Sequence, residues 1–120
     1  MSESDILRGC QELLDYLRNQ GKLFYCRMNS GMALMGSGKK KYAVKLSPEG
    51  TADLLIIRWW YPQGAPNKGE TIVTWIETKD EKGVQSEAQK LFEQEVKKQG
   101  CQYYIVRSLD EMIAIIGEEK

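Results

Sequence analysis

The chain has 120 residues and not one of them is histidine. That absence removes Ser-His-Asp and Cys-His nucleophilic machinery, histidine general bases and histidine-ligated metals. Any catalysis must draw on Asp, Glu, Lys, Tyr, Ser or a metal held by oxygen. Oxygen-only ligation points to Mg²⁺ or Mn²⁺ rather than Zn²⁺ or Cu²⁺. Cysteine is scarce: Cys10, Cys26 and Cys101 are widely spaced, with no C-x-x-C pair. A disulfide framework or a structural zinc site is therefore not expected, and all three read as small core residues of a reducing compartment. No apolar run approaches the roughly 20 residues that span a bilayer, so no membrane partner is expected. The opening Met-Ser-Glu-Ser-Asp lacks the basic-then-apolar pattern of a secretory signal, and a cytoplasmic, non-secreted protein is the expectation.

An excess of positive charge is also missing. Lys and Arg number 17, Asp and Glu 17, and the net charge is zero. A nucleic-acid binder usually carries a basic balance. The charges are unevenly placed, however. Lys39, Lys40 and Lys41 follow a glycine-punctuated turn and Lys45 comes shortly after. Glu87, Glu93, Glu95, Glu118 and Glu119 offset them, so a local basic surface fits within a neutral whole. The plain reading of Lys39 to Lys41 is a solvated loop tip.

The 42% apolar content suits one domain over residues 1–120. Ile6, Cys10, Leu13, Leu14 and Leu17 recur on one helical face, predicting a helix over 5–20 with Ser4 as N-cap and Gly21 as its stop. Residues 23–28 read as a strand, broken by Asn29-Ser-Gly31, with a flexible stretch through Gly38. A short strand is expected over 41–46. Residues 52–58 and 71–79 are rich in β-branched and aromatic side chains and read as strands joined by a Pro/Gly loop over 61–69, hence antiparallel. A helix over 87–99 follows, with Ala88, Leu91, Phe92 and Val96 on one face and a Ser86/Gln89 capping box. A strand over 101–107 and a helix over 109–116, opened by a Ser108/Glu111 pair, complete the chain. The helical crossover makes the strands at 71–79 and 101–107 parallel. The expected class is α/β, a mixed sheet with helices packed on it.

Three residues carry the chemistry. Glu77 and Lys79 stand two apart on a strand and so share a face. If the 52–58 strand pairs beside them, Asp53 reaches Glu77. Two carboxylates beside one lysine suit a hard cation and a water, the requirements of metal-assisted phosphodiester hydrolysis. The bland alternatives are an exposed strand-end acid at Asp53 and an ion pair between Glu77 and Lys79 or a cross-strand base. Arg27, Asn29 and Ser30 lie where a loop meets a phosphate, or form an ordinary turn. Trp59, Trp60 and Tyr61 offer base stacking or a dimer surface, with hairpin packing the commoner outcome. Arg107 reads equally as a phosphate contact or a surface charge.

The string Gly50-Thr-Ala-Asp53, Trp75-Ile-Glu-Thr-Lys79, Gly83-Val-Gln-Ser86, Gln89, Phe92, Gly100 and Tyr103-Tyr-Ile-Val106 resembles the VRR-NUC domain, a branch of the PD-(D/E)XK nuclease superfamily. Upstream, Arg27-Met-Asn-Ser-Gly31 is similar to that family's Arg-rich-turn segment. The resemblance covers nearly the whole chain, at the size of the stand-alone, mostly viral members. It implies a restriction-endonuclease-like mixed central sheet flanked by helices. It makes Asp53 and Glu77 ligands of Mg²⁺ or Mn²⁺, completed by the backbone carbonyl of Thr78. It gives Lys79 a role on the attacking water and Gln89 a supporting role from the following helix. A further acid is expected on the first helix, with Asp5 the first choice and Glu3 and Glu12 its rivals. The family's proline before the aspartate is Ala52 here. Lys39, Lys40 and Lys41 join Arg27, Asn29 and Ser30 as candidate DNA contacts. The implied activity is a structure-specific DNA endonuclease acting as a homodimer on branched DNA such as four-way (Holliday) junctions, in the cytoplasm of a bacterial or virus-infected host cell. The alternative is a catalytically silent nuclease-like module that binds DNA or a replication partner.

Overall fold

Helix α1 (Glu3–Asn19) is followed by strand β1 (Phe24–Arg27), by the hairpin strands β2 (Met32–Met35) and β3 (Tyr42–Lys45), and by the long hairpin β4 (Leu54–Trp60) and β5 (Glu70–Thr78). Helix α2 (Glu87–Lys98), strand β6 (Gln102–Val106) and helix α3 (Leu109–Gly117) complete the order. This is a computed structural model, and it describes residues 1–29 and 32–117.

The main sheet is mixed, in the order β1-β4-β5-β6. β1 and β5 flank β4 antiparallel, and β6 lies parallel to β5. The long hairpin and the helical crossover are thus those expected from the Pro/Gly loop and the 87–99 periodicity. Alternation along each strand separates two faces. Tyr25, Leu54, Ile56, Ile76 and Val106 pack on one face against Ile6, Cys10 and Leu14 of α1 and Met112 of α3. α2 covers the other face, where the Phe92 ring meets Trp75 edge-on at 4.9 Å between centroids. The resulting architecture is mixed α/β with three helices around a mixed central sheet.

Several local expectations are corrected. The first helix starts at Glu3, capped by Ser2 and not Ser4: Ser2 Oγ accepts from the Asp5 amide at 3.1 Å, and Ser2 O accepts from the Ile6 amide. This earlier start places Glu3 and Asp5 at the positive end of the helix dipole. Residues 32–35, expected within a flexible stretch, form β2. Leu91, expected on the packed face of α2, is exposed. Glu111 bonds the Arg107 amide at 2.8 Å and so reaches one residue beyond the anticipated Ser108 box.

β2 and β3 form a separate two-stranded sheet that packs on no other described element. The molecule measures 61 × 33 × 30 Å, and its radius of gyration is 16.4 Å. A compact chain of this length gives about 13–14 Å. The larger value agrees with an arm that packs on no other described element.

Candidate metal centre

Four elements deliver the site. β4 and β5 pair with Leu54 opposite Ile76. One further step of that register sets Asp53 opposite Glu77, and opposed residues on antiparallel strands share a face. The carboxylate of Asp53 is held at the end of β4: its Oδ2 accepts from the Thr78 amide at 2.8 Å and from Thr78 Oγ1 at 2.9 Å. Its own carbonyl accepts from the Met28 amide at 2.8 Å.

Upstream, Gly50 fixes the approach. It has φ +83°, and a Cβ there would lie 2.3 Å from the Ala88 carbonyl oxygen. Only glycine tolerates both the left-handed backbone and that contact. The Asp53 segment therefore docks on the first turn of α2, the turn that carries Gln89.

Glu77 is buried, with 2% exposure. Its Oε1 accepts from Gln89 Nε2 at 2.9 Å and lies 3.8 Å from Lys79 Nζ. Among the described residues, no N–H or O–H group donates to its buried Oε2. Such an orphan is costly, because a buried polar atom normally keeps at least one hydrogen bond. Burial, and next the Asp53 charge, push the Glu77 carboxyl up to about 8; Lys79 opposes, while Glu3 and a hydrogen bond that the protonated acid shares with Asp53 add to the rise. At neutral pH the Glu77 carboxyl thus holds a proton.

Gln89 closes the expected capping box and also bonds Glu77. Its Oε1 accepts from the Ser86 amide and its own amide donates to Ser86 Oγ, closing the capping box. The same side chain, through Nε2, holds Glu77. Thr78 is oriented by register. Its amide faces Asp53, while the next amide, of Lys79, donates to Val106 O on β6 at 3.0 Å. The N–H and C=O of one strand residue point to the same side, so the Thr78 carbonyl faces the Asp53 side.

The third acid is Glu3, not Asp5. One carboxylate oxygen from each of Glu3, Asp53 and Glu77 lies within 4.8 Å of the others. Hard cations take oxygens at about 2.0–2.6 Å, so two ligands of one ion sit up to about twice that distance apart. The oxygen-only set and the orphaned Oε2 both fit a divalent ion. The reason for the displacement is helical phase. Glu3 precedes the buried Ile6 by three positions and Cys10 by seven, so it stands on their side of the helix, at its exposed end. Asp5 points elsewhere and pairs with Arg8 at 2.9 Å. Glu12 is exposed and lies outside the acid cluster. Glu3→Gln is expected to weaken Mn²⁺ binding about tenfold or more, whereas Asp5→Asn leaves it unchanged. Calorimetric titration of both variants with Mn²⁺ checks the assignment, and the reverse order would return the role to Asp5.

The remaining candidates are dispersed. Arg27 is exposed at the end of β1, and the Asn29 carbonyl accepts from Ser47 Oγ. Ser30, like Glu118 and Glu119, lies outside the described residues. Lys39, Lys40 and Lys41 are exposed at the tip of the arm. Trp59 and Tyr61 border a groove of about 510 Å³ at the far end of β4, away from the acids. The Trp59 ring covers Gly69, as hairpin packing requires. The thiol of Cys10, fully buried under the sheet, is pushed up to about 11 by burial and by Asp53.

Sequence reasoning missed the part played by Arg107. Its Nη1 donates to Asp80 O at 2.7 Å and to Gly83 O at 2.8 Å, clamping the turn after β5. A Cβ on Gly83 would lie 3.2 Å from Lys79 Cδ, so this turn walls the lysine stem. No sequence signal marks a side chain that bonds distant carbonyls. The chain matches no family model, no curated protein and no solved structure with which it was compared.

Proposed function

We propose that the chain is a divalent-metal-dependent, structure-specific DNA endonuclease of the VRR-NUC type, with the PD-(D/E)XK fold. The observation that carries this reading is the buried Glu77 carboxylate. Among the described residues no donor bonds one of its oxygens, and it is flanked by Asp53, Glu3, Lys79 and Gln89. Asp53, Glu77 and Glu3 would hold Mg²⁺ or Mn²⁺, with the Thr78 carbonyl facing the same space. When bound, the cation supplies positive charge that polarises a phosphodiester and acidifies water.

The chain's own groups do the rest. Gln89 fixes the Glu77 carboxylate, and the two Thr78 bonds fix Asp53. Lys79 Nζ, 3.8 Å from Glu77, orients the attacking water and stabilises charge developing on the phosphate. The walls around the lysine restrict its rotamers, so the ammonium is pre-positioned. The homodimer and the four-way junction implied by the resemblance belong to the same proposal. Two copies would supply the paired cuts that a junction needs.

The test is incubation with end-labelled linear, flap and four-way DNA, with and without Mg²⁺ or Mn²⁺. Cleavage only with metal, and fastest on the four-way substrate, is expected. An absence of metal-dependent cleavage on all three leaves the silent, DNA-binding module as the better reading.

A further inference from the structure

The charge asymmetry of the chain coincides with its shape. Residues 27–48 contain five basic residues and no acidic one, leaving twelve basic against seventeen acidic residues in the rest. That segment is the arm and its root. The root is tied to the acid cluster, because the Met28 amide bonds the Asp53 carbonyl. The tip is built to turn sharply: Gly36 has φ +89°, and a Cβ there would lie 2.4 Å from Lys40 O. Beyond it Lys39, Lys40 and Lys41 are exposed, and along the ribbon so are Leu34, Met35 and Tyr42. A two-stranded ribbon with no core is marginal on its own and gains order from what it binds.

Resting on the nuclease reading, we propose that the β2–β3 arm lies in the groove of duplex DNA on one side of the bond cut at the acid cluster. The major groove of B-DNA admits a two-stranded ribbon, and lysines at its tip neutralise phosphates. From Met32 to the tip at Gly38 the arm covers six residue steps, roughly 20 Å at strand rise. That length corresponds to about six base pairs of duplex at 3.4 Å each. The competing occupant is the acid-rich body of a second copy. Nucleic acid is favoured because a basic arm rooted at a phosphodiester-cutting centre meets the same polyanion that the centre engages.

The test compares the wild type with the triple variant Lys39→Ser, Lys40→Ser, Lys41→Ser. The probe is a fluorescent 24-base-pair DNA duplex in metal-free buffer, so that binding is read without cleavage. The arm inference predicts roughly tenfold weaker binding by the variant at 0.1 M salt. It also predicts a salt-dependence slope smaller by up to about 2.7, or about 0.9 per lost phosphate contact. The melting temperature should not change. With metal, the wild type should need about six base pairs on one side of the cut, and the variant should be insensitive to that flank. Equal affinity and slope for the two proteins overturns the arm, even if both cut DNA. A salt-sensitive dimer lost in the variant, with DNA affinity unchanged, overturns it in favour of a second copy, and a wild type that does not bind the duplex also overturns it. A wild type that binds through the lysines yet never cuts sinks the nuclease reading and leaves the arm in place.

Discussion

Raising the pH of the metal-free protein from 5 to 8 is expected to lower its melting temperature by roughly 10–15 °C. The Glu77 carboxyl rises from 4.5 to about 8 on folding, through burial and the neighbouring Asp53 charge. The folded state therefore holds a proton that the unfolded state releases. The stabilisation is complete below the unfolded value and fades as pH climbs to the folded one. A rise of this size is on the order of 5 kcal/mol, and each kcal/mol moves the midpoint of such a domain by about 3–6 °C. The other shifted groups titrate elsewhere. Asp5 and Glu93 are lowered, Cys10 is pushed to about 11, and Tyr25 and Tyr103 to about 12.

Mn²⁺ should remove the trend. At the proposed centre it should replace the proton, bind only the folded state and raise the melting temperature most at pH 8. Glu77→Gln should flatten the pH profile, match or exceed the metal-free wild type in stability at pH 8, and lose the Mn²⁺ response. Melts of both proteins at pH 5 and pH 8, with and without Mn²⁺, decide the matter. An ion pair with Lys79 as the sole purpose of Glu77 predicts a destabilised variant and a wild type indifferent to metal. That pattern would sink the metal centre.

Lys79→Met is expected to slow cleavage of four-way DNA by about 10²- to 10³-fold, the usual loss for one charge-stabilising donor. Methionine keeps the apolar stem against Gly83, so folding and the Mn²⁺-induced rise in melting temperature should persist. Lys79→Ala should lose the same activity and additionally some stability, because the walled stem is gone. Single-turnover cleavage beside Mn²⁺-dependent melts separates the two effects. Cleavage within a few-fold of wild type in Lys79→Met would rule out the role given to the lysine.

Much of this was legible in the residues. The shared face of Glu77 and Lys79 follows from strand alternation alone. The Pro/Gly loop over 61–69 dictates the antiparallel partner that brings Asp53 across. The 3.6-residue periodicity of 87–98 dictates the parallel return of β6. Where reading fell short, the cause was phase or distance. Glu3 and Asp5 are both acids of the first helical turn, and only the depth of Ile6 and Cys10 tells which one lies on the side of the helix that meets Asp53 and Glu77. Extending that stripe backwards by three would have found Glu3. β2 has no core face, so burial imposes no polar–apolar alternation on it, and its glycine-rich borders read as loop. Leu91 satisfies the helical period but sits beyond the edge of the surface that α2 covers. Arg107 works through backbone carbonyls more than 20 positions away, which no local pattern encodes.

The acids and their supports come from positions 3, 53, 77 and 89, on four elements that meet only when both sheet faces are covered. No fragment of the chain reproduces the centre, and the ion has nothing to grip in a partly assembled molecule. At the proposed centre a metal would therefore be a late arrival in the life of each molecule. Unlike the zinc of a small finger, it would play no part in guiding the chain to its topology and would act instead as a latch on a structure already formed.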